Sequence, residues 1–319
     1  MTRVQTLKNS VVLLIASTAF ATTLTNAYVS NVSGNNVSVI NTTTNSLAAL
    51  VTVSAGPMGI DVSPDGSTVY VACGSANADS VISTATNTVS GTIALTSSAT
   101  QLAYTPNGSQ VYAISPSSNR VTIIDTASKS TVAMITVGTR PVSVAFNPTG
   151  TRAYVTNLYS HSISEIDTAA KAVIATFNTG TGPSGIAVTP NGKYIYVTNQ
   201  YVNTVTVHDA TTGAIVKTMT GFSFPNWVAI TPDGNHAYIT NGNASTVSVV
   251  STATYGITAT VSTGHGVIPT SVALSSDGTR AYVVNQYGLS LSVIDTSKNS
   301  IVTTIPRIGV YPIAVAMKP

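Results

Sequence analysis

The sequence has few of the residues that usually support catalysis, metal binding or disulfide bonding. Its 319 residues include one cysteine, one tryptophan and four histidines, and only 7% of them are charged. The single Cys73 excludes an intramolecular disulfide, and one cysteine with four scattered histidines gives no zinc-ligand spacing. We therefore predict no metal and no other cofactor. Hydrophobic residues make up 43% of the chain, which excludes a disordered protein.

The sequence also lacks an apolar run long enough for a permanent membrane anchor. Residues 1–27 have the pattern of a signal peptide: Arg3 and Lys8, an apolar run from Val11 to Phe20, and cleavage sites after Ala21 or Ala27. The apolar run is about half the length that a transmembrane helix needs, so retention as an uncleaved anchor is the weaker alternative. We expect an exported protein (periplasmic, secreted or at the cell surface) with one domain over residues 28–319 and no transmembrane segment after signal cleavage.

Export would also change the charge of the chain. Without Arg3 and Lys8, eleven of the thirteen basic residues remain against ten acidic residues. A nearly neutral chain lacks the basic surface that nucleic-acid binding usually needs. Nucleic acid is therefore a disfavoured partner.

A repeat of about 42 residues dominates the sequence. Its tyrosines are Tyr28, Tyr70, Tyr112, Tyr154, Tyr196, Tyr238 and Tyr282. Residues 153–157, 195–199 and 237–241 read AYVTN, IYVTN and AYITN. The unit over 183–220 predicts four strands, at 184–189, 194–199, 203–208 and 214–219, and turn sequences such as Pro64-Asp65-Gly66 separate the first two strands of several units. Four short strands in each repeat are typical of a propeller blade.

The ends of the chain complete the count of blades. Six full units run from Pro57 to about Pro306, and the last segment, 311–319, supplies only an innermost strand. The three missing strands lie at the other end, at 27–31, 37–41 and 47–53. We therefore predict an all-β fold, a seven-bladed β-propeller of four-stranded antiparallel blades whose last blade is closed by N- and C-terminal strands.

These repeats resemble the YVTN family of β-propeller repeat proteins, which is named after this motif. The resemblance covers essentially the whole chain after residue 27. It implies the architecture and a location outside the cytoplasm, as in surface-layer-type and bacterial periplasmic propellers. The family has no single shared activity, so the resemblance implies no reaction.

Most acidic residues and all seven repeat tyrosines have positions that predict structural roles. The turn acids are Asp65, Asp233 and Asp277 after first strands, and Asp125, Asp167, Asp209 and Asp295 after third strands. Three acids break the pattern, because Asp61, Asp79 and Glu165 stand where other blades have Ala, Val or Ile. We expect Asp61 and Asp79 to be hydrogen-bonded or partly hydrated, with a bridging ion or water between them as the alternative, and we expect Cys73 to be a buried, unreactive thiol.

The candidate binding face is the one that carries the loops after the second and fourth strands, because these loops differ between blades. We predict no catalytic residue. The candidate ligand-binding residues are Trp227, Tyr159, Tyr201, Tyr287, Gln200, Gln286, Arg140, Arg307 and His265. Trp227 stands out because five of the other six blades have small residues at its position, such as Gly59 and Ser143, and blade 2 has Gln101. Aromatic rings beside amides and arginines suit stacking on sugars or on unstacked bases.

Three functions remain open from the sequence. The leading hypothesis is a non-enzymatic binding or cell-surface protein whose ligand is a glycan or another envelope component, including an envelope protein. A lactonase- or lyase-like enzyme is the alternative, but it would need acid–base residues at the channel mouth, and no acid clearly joins His161 and His265 there. Binding of single-stranded nucleic acid is the third hypothesis, and the weak net charge argues against it.

Overall fold

The computed structural model describes residues 26–318, and their regular elements are 28 β-strands. The strands form seven sheets of four, each of which is one blade. The N-terminal strands are β1 (Asn26–Asn31), β2 (Asn36–Asn41) and β3 (Ser46–Thr52). Blade 1 has β4 (Pro57–Val62), β5 (Thr68–Cys73), β6 (Ala78–Ser83) and β7 (Thr88–Ala94). Blade 2 has β8 (Gln101–Tyr104), β9 (Gln110–Ser115), β10 (Arg120–Asp125) and β11 (Ser130–Thr136). Blade 3 has β12 (Pro141–Phe146), β13 (Arg152–Asn157), β14 (Ser162–Asp167) and β15 (Ala172–Asn178).

The second half of the chain continues the same order. Blade 4 has β16 (Pro183–Val188), β17 (Tyr194–Asn199), β18 (Thr204–Asp209) and β19 (Ile215–Met219). Blade 5 has β20 (Pro225–Ile230), β21 (His236–Asn241), β22 (Thr246–Ser251) and β23 (Ile257–Ser262). Blade 6 has β24 (Pro269–Leu274), β25 (Arg280–Asn285), β26 (Ser290–Asp295) and β27 (Ser300–Pro306). The last strand is β28 (Pro312–Met317). The strands that the sequence predicts in blade 4 are confirmed to within a residue at each end.

The two ends of the chain share blade 7, whose strand order is β28-β1-β2-β3. Strand β28 pairs antiparallel with β1, and Val29 lies opposite Val315. The predicted fold class, blade number and closure are therefore confirmed. Strand β1 begins at Asn26, and Ala27 is fully buried in it. Of the two cleavage sites expected from the sequence, only the one after Ala21 would leave this strand complete.

The repeat tyrosines pack between neighbouring blades. All seven are at most 2% exposed. The hydroxyl groups of four of them form hydrogen bonds with the turn between the third and fourth strands of the following blade. Tyr28 donates to Asn87, Tyr154 to the Ala210 carbonyl and Tyr238 to Asn299, and Tyr282 is hydrogen-bonded to Thr42. Their packing role is confirmed, and the hydrogen bonds add a link from each of these blades to the next.

The asparagine that ends the repeat motif joins the second strand to the third. In five blades its Nδ2 donates to a Ser or Thr hydroxyl seven residues later, over 2.8 to 3.1 Å: Asn31–Ser38, Asn157–Ser164, Asn199–Thr206, Asn241–Ser248 and Asn285–Ser292. Cys73 occupies this position in blade 1, where its Sγ lies 3.9 Å from the Ser80 hydroxyl. The thiol is buried, and burial raises its pKa to about 11. A buried, protonated thiol is unreactive, as the sequence predicts.

The acidic residues of the turns cap backbone N–H groups. Asp65 accepts from the Ser67 amide at 3.0 Å, and Asp209 accepts from the amides of Thr211 and Thr212 at 3.0 and 2.9 Å. Glu165, which breaks the repeat, pairs with Arg152 at 3.3 Å. Within residues 26–318, no helix is long and apolar enough to cross a bilayer.

Candidate functional site

A central cavity of about 930 Å³ opens on the face that carries the loops after the second and fourth strands, which we call the upper face. The innermost strands β4, β8, β12, β16, β20, β24 and β28 surround the propeller axis, and the cavity wall takes residues from the upper part of each. Loop residues such as Ser117 and Asn243 complete the mouth. The volume is within the range of small-ligand sites in proteins.

Trp227 lies on the wall of this cavity and is partly exposed. The position is crowded in other blades, since a Cβ atom at Gly185 would lie 2.8 Å from the Trp227 Cα, and one at Gly59 would lie 2.5 Å from the Gln101 Cα. Small residues at this position therefore let adjacent inner strands approach each other. In blade 5 the position instead supplies a large ring to the cavity, and part of that ring packs against the core between blades 5 and 6.

Arg140 lies at the lip of the cavity, where two contacts hold it. Its backbone N–H donates to Asn119 Oδ1 at 2.8 Å, and its guanidinium carbon lies 4.9 Å from the centre of the Tyr159 ring. This cation–π contact orients the charge without neutralising it. Among the described residues, the three ion pairs involve Arg152 and Arg280 and not Arg140.

The loop residue that precedes the inner-strand proline has a left-handed backbone in six blades. These residues are Gly56, Arg140, Gly182, Phe224, Ile268 and Tyr311, with φ between 45° and 72°. Glycine adopts this conformation readily, whereas a bulky or β-branched residue there is strained. Arg140, Phe224 and Ile268 nevertheless occupy it, and all three line the cavity. Strain of this kind is found more often at functional sites than elsewhere.

The structure brings together four of the nine residues predicted from the sequence. Trp227, Arg140, Tyr159 and Gln286 line the cavity. The other five lie on the upper face beyond its wall: Tyr201, Gln200, Tyr287, Arg307 and His265. The Tyr201 ring covers Gly182, where a Cβ atom would lie 2.4 Å from it, and the Tyr287 ring packs edge-to-face on Tyr311 at 6.1 Å.

Several wall residues were not predicted from the sequence. They include Met58, Asn119, Asn226, Ile268 and Phe224. Alignment of the repeats could have revealed Ile268 and Phe224, because each stands before the proline where blades 1 and 4 have glycine. Asn119 is positioned by a recurring bond, since Asn35 and Asn203 accept from the loop residues Gly56 and Phe224 in the same way.

His161 has a structural partner on this face. It takes the place of these asparagines in blade 3, where its Nδ1 accepts from the Gly182 backbone N–H at 3.2 Å. Within residues 26–318, the cavity wall contains no Asp, Glu, His or Cys, and no group of three or more such residues could hold a metal ion. The wall can therefore stack, form hydrogen bonds and present one positive charge.

The three irregular acids lie away from the cavity wall. Asp61 accepts from the backbone N–H groups of Val62 and Tyr104 at 2.9 and 2.8 Å, and burial raises its pKa to about 6. Asp79 is fully buried, accepts from the Cys73 N–H at 3.1 Å through Oδ1, and has no partner for Oδ2. Burial raises its pKa to about 7. As expected, Asp61 and Asp79 are hydrogen-bonded, and they share no partner.

Comparisons with known proteins agree with this architecture. A family model described as "Lactonase, 7-bladed beta-propeller" matches residues 135–255, which is less than half of the chain. No curated protein matches the sequence. The chain is a β-propeller protein.

Several solved structures resemble this propeller. A chain of hydrazine synthase from Kuenenia stuttgartiensis is 22% identical with a TM-score of 0.76, and the match covers 82% of this chain and 90% of that one. A functionally unknown protein from Desulfotomaculum acetoxidans is 17% identical with a TM-score of 0.81, covering 92% and 98%. A chain of the mitotic checkpoint complex is 19% identical with a TM-score of 0.72, covering 81% and 80%. Likeness at this level of identity establishes the fold alone.

Proposed function

We propose that this propeller is an exported, non-enzymatic binding protein that takes a glycan into the central cavity of its upper face. The observation that carries the proposal is Trp227, a large ring on the cavity wall at a position where neighbouring blades have Gly or Ser. A tryptophan face packs on the C–H face of a sugar ring, and amide side chains such as Asn226 and Gln286 suit its hydroxyl groups. Export is proposed from the signal-like pattern of residues 1–27, most of which lie outside the described residues.

The composition of the wall supports binding over hydrolysis. General acid–base catalysis needs a titratable group within hydrogen-bond reach of the substrate, and the described wall offers Arg140 and amides instead. The partial match to the lactonase family model supports the alternative of a lactonase-like enzyme. In that case hydrolysis of simple lactones should be measurable, and Asp61, on the inner strand of blade 1, would be the first acid to substitute.

Glycan-array binding by the wild type and by two variants tests the proposal. Trp227→Ala should fold, because blade 7 has Ala314 at the same position, and should bind about tenfold more weakly or worse, as expected for a central aromatic contact. Tyr201→Ala removes an aromatic ring on the same face but outside the cavity wall, so it should bind like the wild type. Equal binding by all three proteins, or lactone hydrolysis without glycan binding, would contradict the proposal.

A further inference from the structure

Charge is distributed unequally between the two faces of the propeller. The upper face consists of fourteen loops, which follow the second and the fourth strand of each blade. In the described residues, none of these loops contains Asp or Glu. All seven turn acids, from Asp65 to Asp295, lie at the opposite face. The described residues carry eleven basic and ten acidic side chains, and yet the loops of one face contain no negative side chain.

The upper face does carry positive side chains. Arg140 and Arg307 lie in loops that follow fourth strands, and Arg120 begins β10 next to a loop that follows a second strand. All three are exposed. On the opposite face, Arg152 pairs with Asp167 at 2.6 Å and Arg280 pairs with Asp295 at 3.1 Å. The arginines of the lower face are thus neutralised by neighbouring acids, whereas those of the upper face have no acid beside them.

The uncompensated charge lies at the cavity itself. Arg140 is the one charged residue on the described wall, and Asn119 and Tyr159 hold it at the lip. A guanidinium group forms paired hydrogen bonds with a carboxylate, and these bonds are stronger than those between neutral groups. A face with charge of one sign also attracts ligands of the opposite charge from solution.

From this distribution we infer that the cavity selects an anionic saccharide over a neutral one, with a uronate carboxylate on Arg140 while a sugar ring packs on Trp227. The inference rests on the proposed glycan-binding function and specifies its ligand class.

A saccharide fits the cavity better than a nucleic acid does. Three separated arginines offer few contacts to a regular phosphate backbone, whereas the wall offers neutral amides and hydroxyls for sugar hydroxyl groups.

Calorimetric titration with defined oligosaccharides tests the inference. The acidic probes are short oligomers of galacturonate, short oligomers of mannuronate and guluronate, and disaccharides that contain glucuronate. The methyl ester of each probe is titrated in parallel, because it keeps the sugar and removes the charge. At least one acidic probe should bind about tenfold or more tightly than its ester, in line with the strength of charge-assisted hydrogen bonds. That binding should weaken when salt rises from about 0.05 M to about 0.5 M, because salt screens the attraction.

Two charge variants supply the matched comparison. Arg140→Gln should lose about tenfold in affinity for the acidic probe and change little for its ester. Lys171→Gln is the control, because it removes the same charge from the lower face at a residue with similar backbone geometry, φ 52° against 54° for Arg140. The Lys171→Gln variant should bind the acidic probe with the affinity of the wild type.

The possible outcomes separate this inference from the proposed function. Equal binding of acids and esters would overturn the anionic selectivity and leave glycan binding standing. Absence of binding to any saccharide would overturn both. A single-stranded oligothymidylate that binds more tightly than every saccharide would also overturn both, and would identify nucleic acid as the ligand.

Discussion

At the scale of single residues, blade 1 departs most from the repeat. Cys73 replaces the asparagine that joins the second and third strands in five other blades, and Asp79 replaces a buried aliphatic residue. Asp79 is fully buried with one carboxyl oxygen unpaired, so its environment favours the protonated form. Blade 1 therefore contains a buried group that titrates near neutral pH.

Substitution of Asp79 should change how stability depends on pH. Its pKa is about 7 in the folded protein and about 3.9 in an unfolded chain, so between these values the folded state binds more protons. Stability should therefore fall as pH rises from about 4 to about 7. Asp79→Asn should remove the part of this fall that Asp79 causes and leave the part that Asp61 causes, since the pKa of Asp61 is about 6. At about pH 8 the variant should be more stable than the wild type by up to about 4 kcal/mol in urea unfolding.

A turn carboxylate provides the control for this prediction. Backbone hydrogen bonds to Thr212 and Thr211 lower the pKa of Asp209, so its contribution to stability is lost only as pH falls below the usual range of an aspartate. Asp209→Asn should leave the slope between about pH 5 and pH 8 unchanged. An Asp79→Asn curve parallel to that of the wild type would show that Asp79 is charged in the folded protein.

At the scale of elements, the turn between the third and fourth strands illustrates how one geometry accommodates different residues. A residue at or next to its end has a left-handed backbone in every blade: Asn45, Asn87, Lys129, Lys171, Gly213, Tyr255 and Asn299. Asn and Gly adopt this conformation at low cost, whereas Lys and Tyr do not. The register of the two strands thus fixes the backbone conformation of the turn, and the residue at this position adopts positive φ whatever its side chain.

Relief of this strain gives a second prediction. Lys129→Gly should raise the free energy of unfolding by about 1 kcal/mol, because glycine has no Cβ to oppose the positive φ. Urea unfolding measures the change. Asn45→Lys introduces the strain at the equivalent position of another blade, because it replaces a residue that tolerates positive φ with one that does not. It should lower the free energy of unfolding by a similar amount. If both substitutions shift stability in the same direction, the backbone conformation of this turn is not the cause.

At the scale of the whole molecule, closure depends on β28. This strand pairs with β1 and buries Val315 and Ala316 between neighbouring blades. Deletion of residues 312–319 should cost about 5 kcal/mol or more, from lost burial and the lost pairing of a six-residue strand. Because that is comparable with the stability of a typical domain, the shortened chain should lose its cooperative unfolding transition by circular dichroism.

A circular permutant separates ring closure from chain length. In the closed ring the Lys318 N–H donates to the Asn26 carbonyl, so a short turn like that of residues 63–67 should link the two ends. New ends between Thr211 and Thr212, in an exposed turn, should leave a propeller that unfolds cooperatively. A shortened chain as stable as the full one would refute the role of β28.

The sequence alone determined the number of blades, the bounds of the strands and the sharing of blade 7, because these depend on hydrophobic alternation and turn residues that recur along the chain. It also identified the structural tyrosines and turn acids, since their local positions repeat. Only the tertiary structure decided which loop residues meet at the axis. Trp227, Arg140 and Ile268 come from different blades and converge because inner strands surround the axis. Tyr159, Tyr201 and Tyr287 occupy equivalent positions after second strands, yet of these three Tyr159 alone lines the cavity. Distance from the axis leaves no local signature in a sequence, and the same holds for the burial that raises the pKa of Asp79.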